Sequence, residues 1–484
     1  MRMIQFVGLL SLGAAIACQD DTASIETPLL VTRDNSALSF SHPRTDCADC
    51  HAQHVQEWEM SNHAYAAKDP VFHAMLKLGQ AATEGKIGQF CIQCHAPVGM
   101  AKGQTPVVFN EDAGIFEQPL DQLDEVSSQG VSCDVCHSIT EVMEPENAKM
   151  VLTPDGTKRG TMPMPMPTDA HASQYSELHG KSELCGSCHA VTTPRGALAE
   201  ETFGEWAMSS AAQQGKQCQT CHMPTYTGQA APDAPIRELH RHTFVGVDVS
   251  LLPPDEFPGY DEMRALTEQM LKQSASMATR YDEKEGTLKV SVTNLSGHAL
   301  PTGATAERQL WIELLVKNSV GEVVFESGTP DENDDLRDAI ASHSTRPGSD
   351  PQLLYFGQFL IEDQDLKVES DESAKVLRKL ELDLACDSII NARSDQPEGV
   401  KVVTFPWQAN WQCNTMIAPD ATHHHTYTLP PLATGDYQAE FRLLFRTFPP
   451  YFLRKLEEQG GLDTEVKKRV PTVEIARQIR RFRR

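Results

Sequence analysis

Five pentapeptides in the first half of the chain repeat one pattern of reactive side chains. They are Cys47-Ala48-Asp49-Cys50-His51, Cys91-Ile92-Gln93-Cys94-His95, Cys133-Asp134-Val135-Cys136-His137, Cys185-Gly186-Ser187-Cys188-His189 and Cys218-Gln219-Thr220-Cys221-His222. Paired thiols of this spacing serve zinc sites, redox disulfides and attached haems. Only the last chemistry requires an imidazole directly after the second thiol. The two sulfurs form thioethers with one porphyrin, and the next residue then lies under the ring to bind its iron. All five copies carry that histidine. The pattern predicts five haem c groups, held by Cys47, Cys50, Cys91, Cys94, Cys133, Cys136, Cys185, Cys188, Cys218 and Cys221. The proximal iron ligands are then His51, His95, His137, His189 and His222.

What fills the other face of each iron bears directly on function. A second histidine closes the site and leaves an electron carrier, whereas an open face could bind a small molecule. Of the chain's 18 histidines, His63 is the first candidate, in the helix-prone stretch "EWEMSNHAYA". A second stretch, "EWAMSSAA", precedes the fifth motif and repeats the pattern with Ala211 where His63 would fall. His171, His242 and His298 are further candidates, with His179 and His240 behind them. His423, His424 and His425 read as a polar loop. His42, His54, His73 and His343 read as structural or surface residues. Methionine is the rival axial ligand, but "MPMPMP" from Met162 reads as an extended connector.

The start of the chain points to export. Met1-Arg2 precedes a short apolar run that ends in small residues at Cys18, the pattern of a secretory signal. "AIAC" resembles a bacterial lipobox, which implies lipidation of Cys18, and Gln19 after it implies the outer membrane. The expected location is therefore the periplasm, the outer membrane or the cell surface, with a lipid anchor as the membrane contact. The formal net charge of -25 argues against a nucleic-acid partner. Ten of the 13 cysteines lie in the motifs and Cys18 ends the leader. Cys386 and Cys413 remain, either as a disulfide permitted by an oxidising compartment or as two separate thiols.

The expected architecture is an α + β multidomain protein: a haem-packed, mainly helical and loop cytochrome domain followed by an immunoglobulin-like β-sandwich. The motifs follow one another too closely for each to have a conventional core, so the porphyrins must supply much of it. The expected boundaries are a signal peptide at 1–18, a tether at 19–44 and a pentahaem domain at 45–252. A connecting helix at 253–285 follows, then a sandwich at 286–448 with an insertion at about 330–421, and a basic helical tail at 449–484. The helix rests on "DEMRALTEQMLKQSASMATRYDEKEG". The sandwich rests on alternation in "TLKVSVTN" and "RQLWIELLVKN". The basic tail would dock on the acidic body, bind an acidic partner or end as a solvated helix.

The segments around the motifs resemble a known family. "CADCHAQHVQEWEMSNHA", "SQGVSCDVCHSIT" and "ELHGKSELCGSCHA" are similar to haem segments of the tetrahaem cytochrome c of nitrification and its multihaem relatives, which include hydroxylamine oxidoreductase. "FGEWAMSSAAQQGKQCQTCHMP" resembles a fifth segment of larger members. The resemblance implies stacked, mostly bis-histidine haems and a His63 that reaches a haem other than its own. It implies electron transfer between redox partner proteins, with a second copy of the chain as a further candidate partner. The alternative it leaves open is an oxidoreductase acting on a small nitrogen or sulfur compound at one five-coordinate haem. The chain has no lysine-substituted haem motif and no recognisable cross-linking tyrosine, which weighs against an enzyme.

Overall fold

The computed structural model describes residues 30–32, 38–164, 168–338, 350–368, 372–390 and 397–484. The signal peptide, Cys18 and most of the tether lie outside the described residues, as do His343 and part of the "MPMPMP" segment. Among the described residues no helix is long and apolar enough to cross a membrane.

The first half consists of short elements joined by loops. Its two long helices are α1 (Ala48–Glu59) and α2 (Pro70–Ala82). The other motifs lie on single helical turns, such as Cys133–His137 and Cys218–His222. A three-residue step in a helical turn brings both thiols to one side of the backbone, which is the placement a shared porphyrin needs. Apolar clusters here are small: Ala67, Phe72, Leu76, Ile92, Ala96 and Leu120 form one of them.

The second half begins with α3 (Tyr260–Ser274). Gly259, at φ 66°, starts this helix where a Cβ would stand 2.8 Å from the Met60 side chain, so only glycine fits. The strands that follow are β1 (Ala275–Asp282), β2 (Thr287–Asn294), β3 (Gln309–Asn318), β4 (Val323–Ser327) and β5 (Leu354–Phe356). Next come β6 (Gln358–Asp363), a long helix α4 (Glu372–Ile390), β7 (Val400–Val403) and β8 (Trp411–Asn414). The chain closes with β9 (Thr422–Thr428), β10 (Asp436–Arg446) and β11 (Val473–Arg483).

Strands β1-β2-β9 make one antiparallel sheet, and β4-β3-β10-β11, with β5 paired to β3, make a second. Leu288, Val290 and Val292 of β2 share a core with Ile312 and Leu314 of β3 and Phe441 and Phe445 of β10. Every second residue of β2 is buried, as its alternating sequence requires. Strand β3 is buried along most of its length, because Trp311 packs its other face against Leu336 and Leu444.

Three expectations are corrected here. The connecting helix stops at Ser274, and the rest of its sequence is strand β1, with Ala275, Met277 and Thr279 turned inward. Helix-forming side chains in "SMATRYDEKEG" yield to cross-strand pairing with β2. The tail expected to be helical over 449–484 is helical at Pro450–Lys455, Leu456–Gly460 and Val466–Arg469, but its basic end is strand β11. Its Arg477 pairs with Glu440 and its Glu474 with Arg442 of β10. The run His423, His424 and His425 lies within β9, where the His424 ring is hydrogen bonded to the Ser291 hydroxyl at 2.7 Å.

The insertion between β5 and β9 carries a small sheet, β7-β6-β8, covered by α4. Cys386 of α4 and Cys413 of β8 are joined in a disulfide with Cα atoms 5.5 Å apart. This unit docks on the haem half of the chain. Gln358 donates to the Leu198 carbonyl at 2.8 Å, and the Leu198 N–H donates to the Gln412 side chain at 3.0 Å.

Candidate haem sites

All ten motif cysteines are free thiols. Burial pushes the thiols of Cys91 and Cys136 up to about 12, whereas contact with a second thiol brings Cys188 down to about 7 and Cys218 to about 6.

Each motif histidine uses Nδ1 to donate a hydrogen bond and so leaves Nε2 for a metal. The acceptors are the carbonyls of Ala230 for His51, Ala66 for His95, Arg159 for His137 and Val245 for His222. For His189 the acceptor is a carboxylate, Glu200 Oε1 at 3.0 Å. Burial alone would raise the Glu200 carboxyl, but the bond to His189 holds it below the usual range. Orienting bonds of this kind are the usual support of metal-binding imidazoles.

Four motif histidines face a second imidazole. His171 stands 6.3 Å from His51 between ring centres, His242 6.5 Å from His137, His63 6.3 Å from His189, and His298 6.3 Å from His222. A ring nitrogen bonds a metal at about 2 Å, and the ring centre lies about 1 Å behind it, so two imidazoles sharing one iron have centres roughly 6 Å apart. His171, His242 and His298 engage Nδ1 with nearby carbonyls, which again leaves Nε2 free. Burial pushes the His63 and His242 imidazoles down to about 3 and that of His298 to about 4, so they stay neutral, as ligands must.

The fifth motif histidine is different. His95 stacks on Phe72 at 4.1 Å with the rings nearly parallel. Among the described residues no second imidazole comes as near to it as the four partners come to theirs. His73, the residue after Phe72, commits Nε2 to the Ala67 carbonyl at 2.8 Å.

Two lesser candidates are placed elsewhere. His179 lies 5.7 Å from His137, but its Nε2 donates to the Cys136 carbonyl and its Nδ1 accepts from Ser176, so both nitrogens are used. His240 turns Nδ1 to the Met223 carbonyl and faces no motif histidine. His54, read from sequence as structural, sits 4.6 Å from His242 and accepts from the Tyr226 hydroxyl.

Thiols of different motifs touch. Cys47 contacts Cys133, Cys94 contacts Cys188, and Cys185 contacts Cys218. The fourth motif therefore meets the second through one cysteine and the fifth through the other.

Two acidic residues missed from sequence hold the facing histidines. Glu57 accepts the His242 backbone N–H at 2.7 Å and pairs with Arg241 at 2.6 Å. Its neighbour Trp58 donates to the Val131 carbonyl, two residues before Cys133. In the second "EW" segment, Glu205 accepts the Ala299 N–H, next to His298, at 3.0 Å. Trp206 donates to the Lys216 carbonyl, two residues before Cys218. Each Glu-Trp pair thus ties both sides of one site together. The E-W repeat in the sequence is the signal that marks both residues.

Paired thiols beside oriented imidazoles, repeated along one chain, define a multihaem c-type cytochrome. Residues 46–138 match the family model described as cytochrome c554 and c-prime. The fold is similar to that of a penta-heme cytochrome c552 from Thermochromatium tepidum, with TM-score 0.57 and 20% identity over 90% of this chain and 97% of that one. At that coverage the likeness takes in both halves of the molecule. The comparison with curated proteins finds no match. These likenesses support covalently bound haem c and electron transfer as the general role.

Proposed function

We propose that the chain carries electrons through five covalently attached haems, four of them with two histidine ligands. The axial pairs in this reading are His51 with His171, His137 with His242, His189 with His63, and His222 with His298. The reading rests on the four facing imidazole pairs at 6.3–6.5 Å. When bound, each haem supplies an iron that takes up and releases one electron. The chain's residues hold the ligands in place and keep water from them. Mass spectrometry of protein matured in a cytochrome c-competent host should show five haem additions. Fewer would mean that some motifs are unused.

A second reading is favoured by the second motif, where Phe72 rather than an imidazole accompanies His95. There the iron would keep an open face and could act on a small nitrogen or sulfur compound. Electron paramagnetic resonance should then show one high-spin haem among four low-spin ones, with carbon monoxide changing the reduced spectrum of that one alone. Five low-spin haems would remove this reading.

The kinship we propose is with the tetrahaem cytochromes of nitrification and the hydroxylamine oxidoreductase superfamily. The paired sheets are read as an immunoglobulin-like sandwich that serves docking or assembly. The proposed setting is the periplasm or outer membrane, with lipid on Cys18, between redox partner proteins. Globomycin-sensitive labelling with a radioactive fatty acid tests the anchor, and loss of label in Cys18→Ser is the expected result.

A further inference from the structure

Among the five motif histidines, one hydrogen-bonds a charged group. His51, His95, His137 and His222 donate to neutral backbone carbonyls, while His189 donates to the Glu200 carboxylate. We propose that Glu200 is a positioning and tuning residue that makes the fourth haem the hardest of the five to reduce. This rests on the reading of five attached haems in which His189 and His63 share one iron.

The physical argument concerns charge. A carboxylate that accepts the Nδ1 proton draws it away from the ring and makes the imidazole a stronger donor through Nε2. Greater donation, together with a nearby negative charge, favours ferric over ferrous iron. The step affected is the addition of one electron to Fe(III) to give Fe(II), with no bond made or broken. A neutral carbonyl does the same to a lesser degree, so the difference between sites comes from the carboxylate.

The position of Glu200 is built by the rest of the fold. It ends a short strand, Leu198–Glu200, that is held on both sides of Leu198 by Gln358 and Gln412 of the insertion. The cation that acts on it, Arg308, is itself paired with Asp248 at 2.9 Å. The carboxylate also acts on His95 of the second motif, but its hydrogen bond goes to His189.

The location gives this tuning a consequence. The fourth motif touches the second through Cys94 and Cys188, and the fifth through Cys185 and Cys218. It is the junction of the array. A junction of low electron affinity passes electrons on and leaves them resting on its neighbours.

Spectroelectrochemical titration of the full, haem-loaded chain tests the idea. Haem count by mass and the low-spin signal come first, since their loss in the wild type would sink the underlying reading and not this inference. In Glu200→Gln, with five haems attached, the most negative of the five steps should move furthest to a more positive potential, the haem of the second motif less, and the other three should stay. Glu200→Asp should restore most of the wild-type value. An unchanged titration in Glu200→Gln, or an equal shift of all five steps, would overturn the proposal. Should Glu200→Gln fail to fold, the wild type still decides. Its reduced-minus-oxidised infrared spectrum, taken across the last step, should carry a glutamate carboxylate band that moves on ¹³C-glutamate labelling, and the absence of such a band refutes the assignment.

Discussion

In the first E-W-x-M-S segment, Glu57 is buried against Arg241 and the chain goes on to His63, which faces His189. In the second, Glu205 is buried with no cation beside it among the described residues, and the chain goes on to Ala211. Both glutamates hold the backbone at a facing histidine, and both tryptophans hold the approach to a motif. Ala211 lies against Gly297, whose added Cβ would come within 3.2 Å of it. Met60 is buried under α3, while Met208 is largely exposed. One local unit has thus been used twice as a clamp, and only the first copy also places an imidazole opposite a motif histidine.

The largest effect should come from removing what distinguishes the first copy. His63→Ala should convert one low-spin haem to high spin and create a carbon monoxide site, read by electron paramagnetic resonance and visible spectra. An unchanged spectrum would show that His63 is not a ligand.

Next come the glutamates. Glu57→Ala leaves Arg241 and the His242 N–H without their partner and should cost about 2–3 kcal/mol, discounted because the guanidinium is partly exposed. Glu205→Ala breaks neutral donors only and should cost about 1–2 kcal/mol. Thermal melts of the haem-loaded variants measure both, and equal losses would erase the contrast between the copies.

The tryptophans should matter less. Trp58→Phe removes a partly buried hydrogen bond worth about 1 kcal/mol, and Trp206→Phe, whose bond is exposed, should cost less than that in the same melts.

The smallest effect is one of pH. Burial, unopposed by a cation, pushes the Glu205 carboxyl up to about 7 from its ordinary 4.5. The folded state then holds a proton that the unfolded chain has already released across that interval. The stability this contributes is complete below pH 4.5 and is lost as pH rises through about 7. The melting midpoint of wild type should fall over that range by more than that of Glu205→Gln. Parallel curves would mean that Glu205 is ionised throughout.

Legibility followed the range of the interactions. Strand β2 was readable, because period-two burial is written residue by residue along it. The end of α3 was not, because Ala275 favours a helix locally and only pairing with β2 makes it strand. The tail misled for the same reason: its arginines favour a helix in isolation, yet β10 offers Glu440 and an open edge.

The sequence by itself determined the capture chemistry, since two thiols and an imidazole within one helical turn are positioned by covalent geometry alone. The tertiary structure decided which distant histidine faces which motif, that His179 spends both nitrogens elsewhere, and that Glu200 lies under His189. Those pairings join residues far apart in the chain, so they depend on how the intervening segments pack, and no local pattern encodes that.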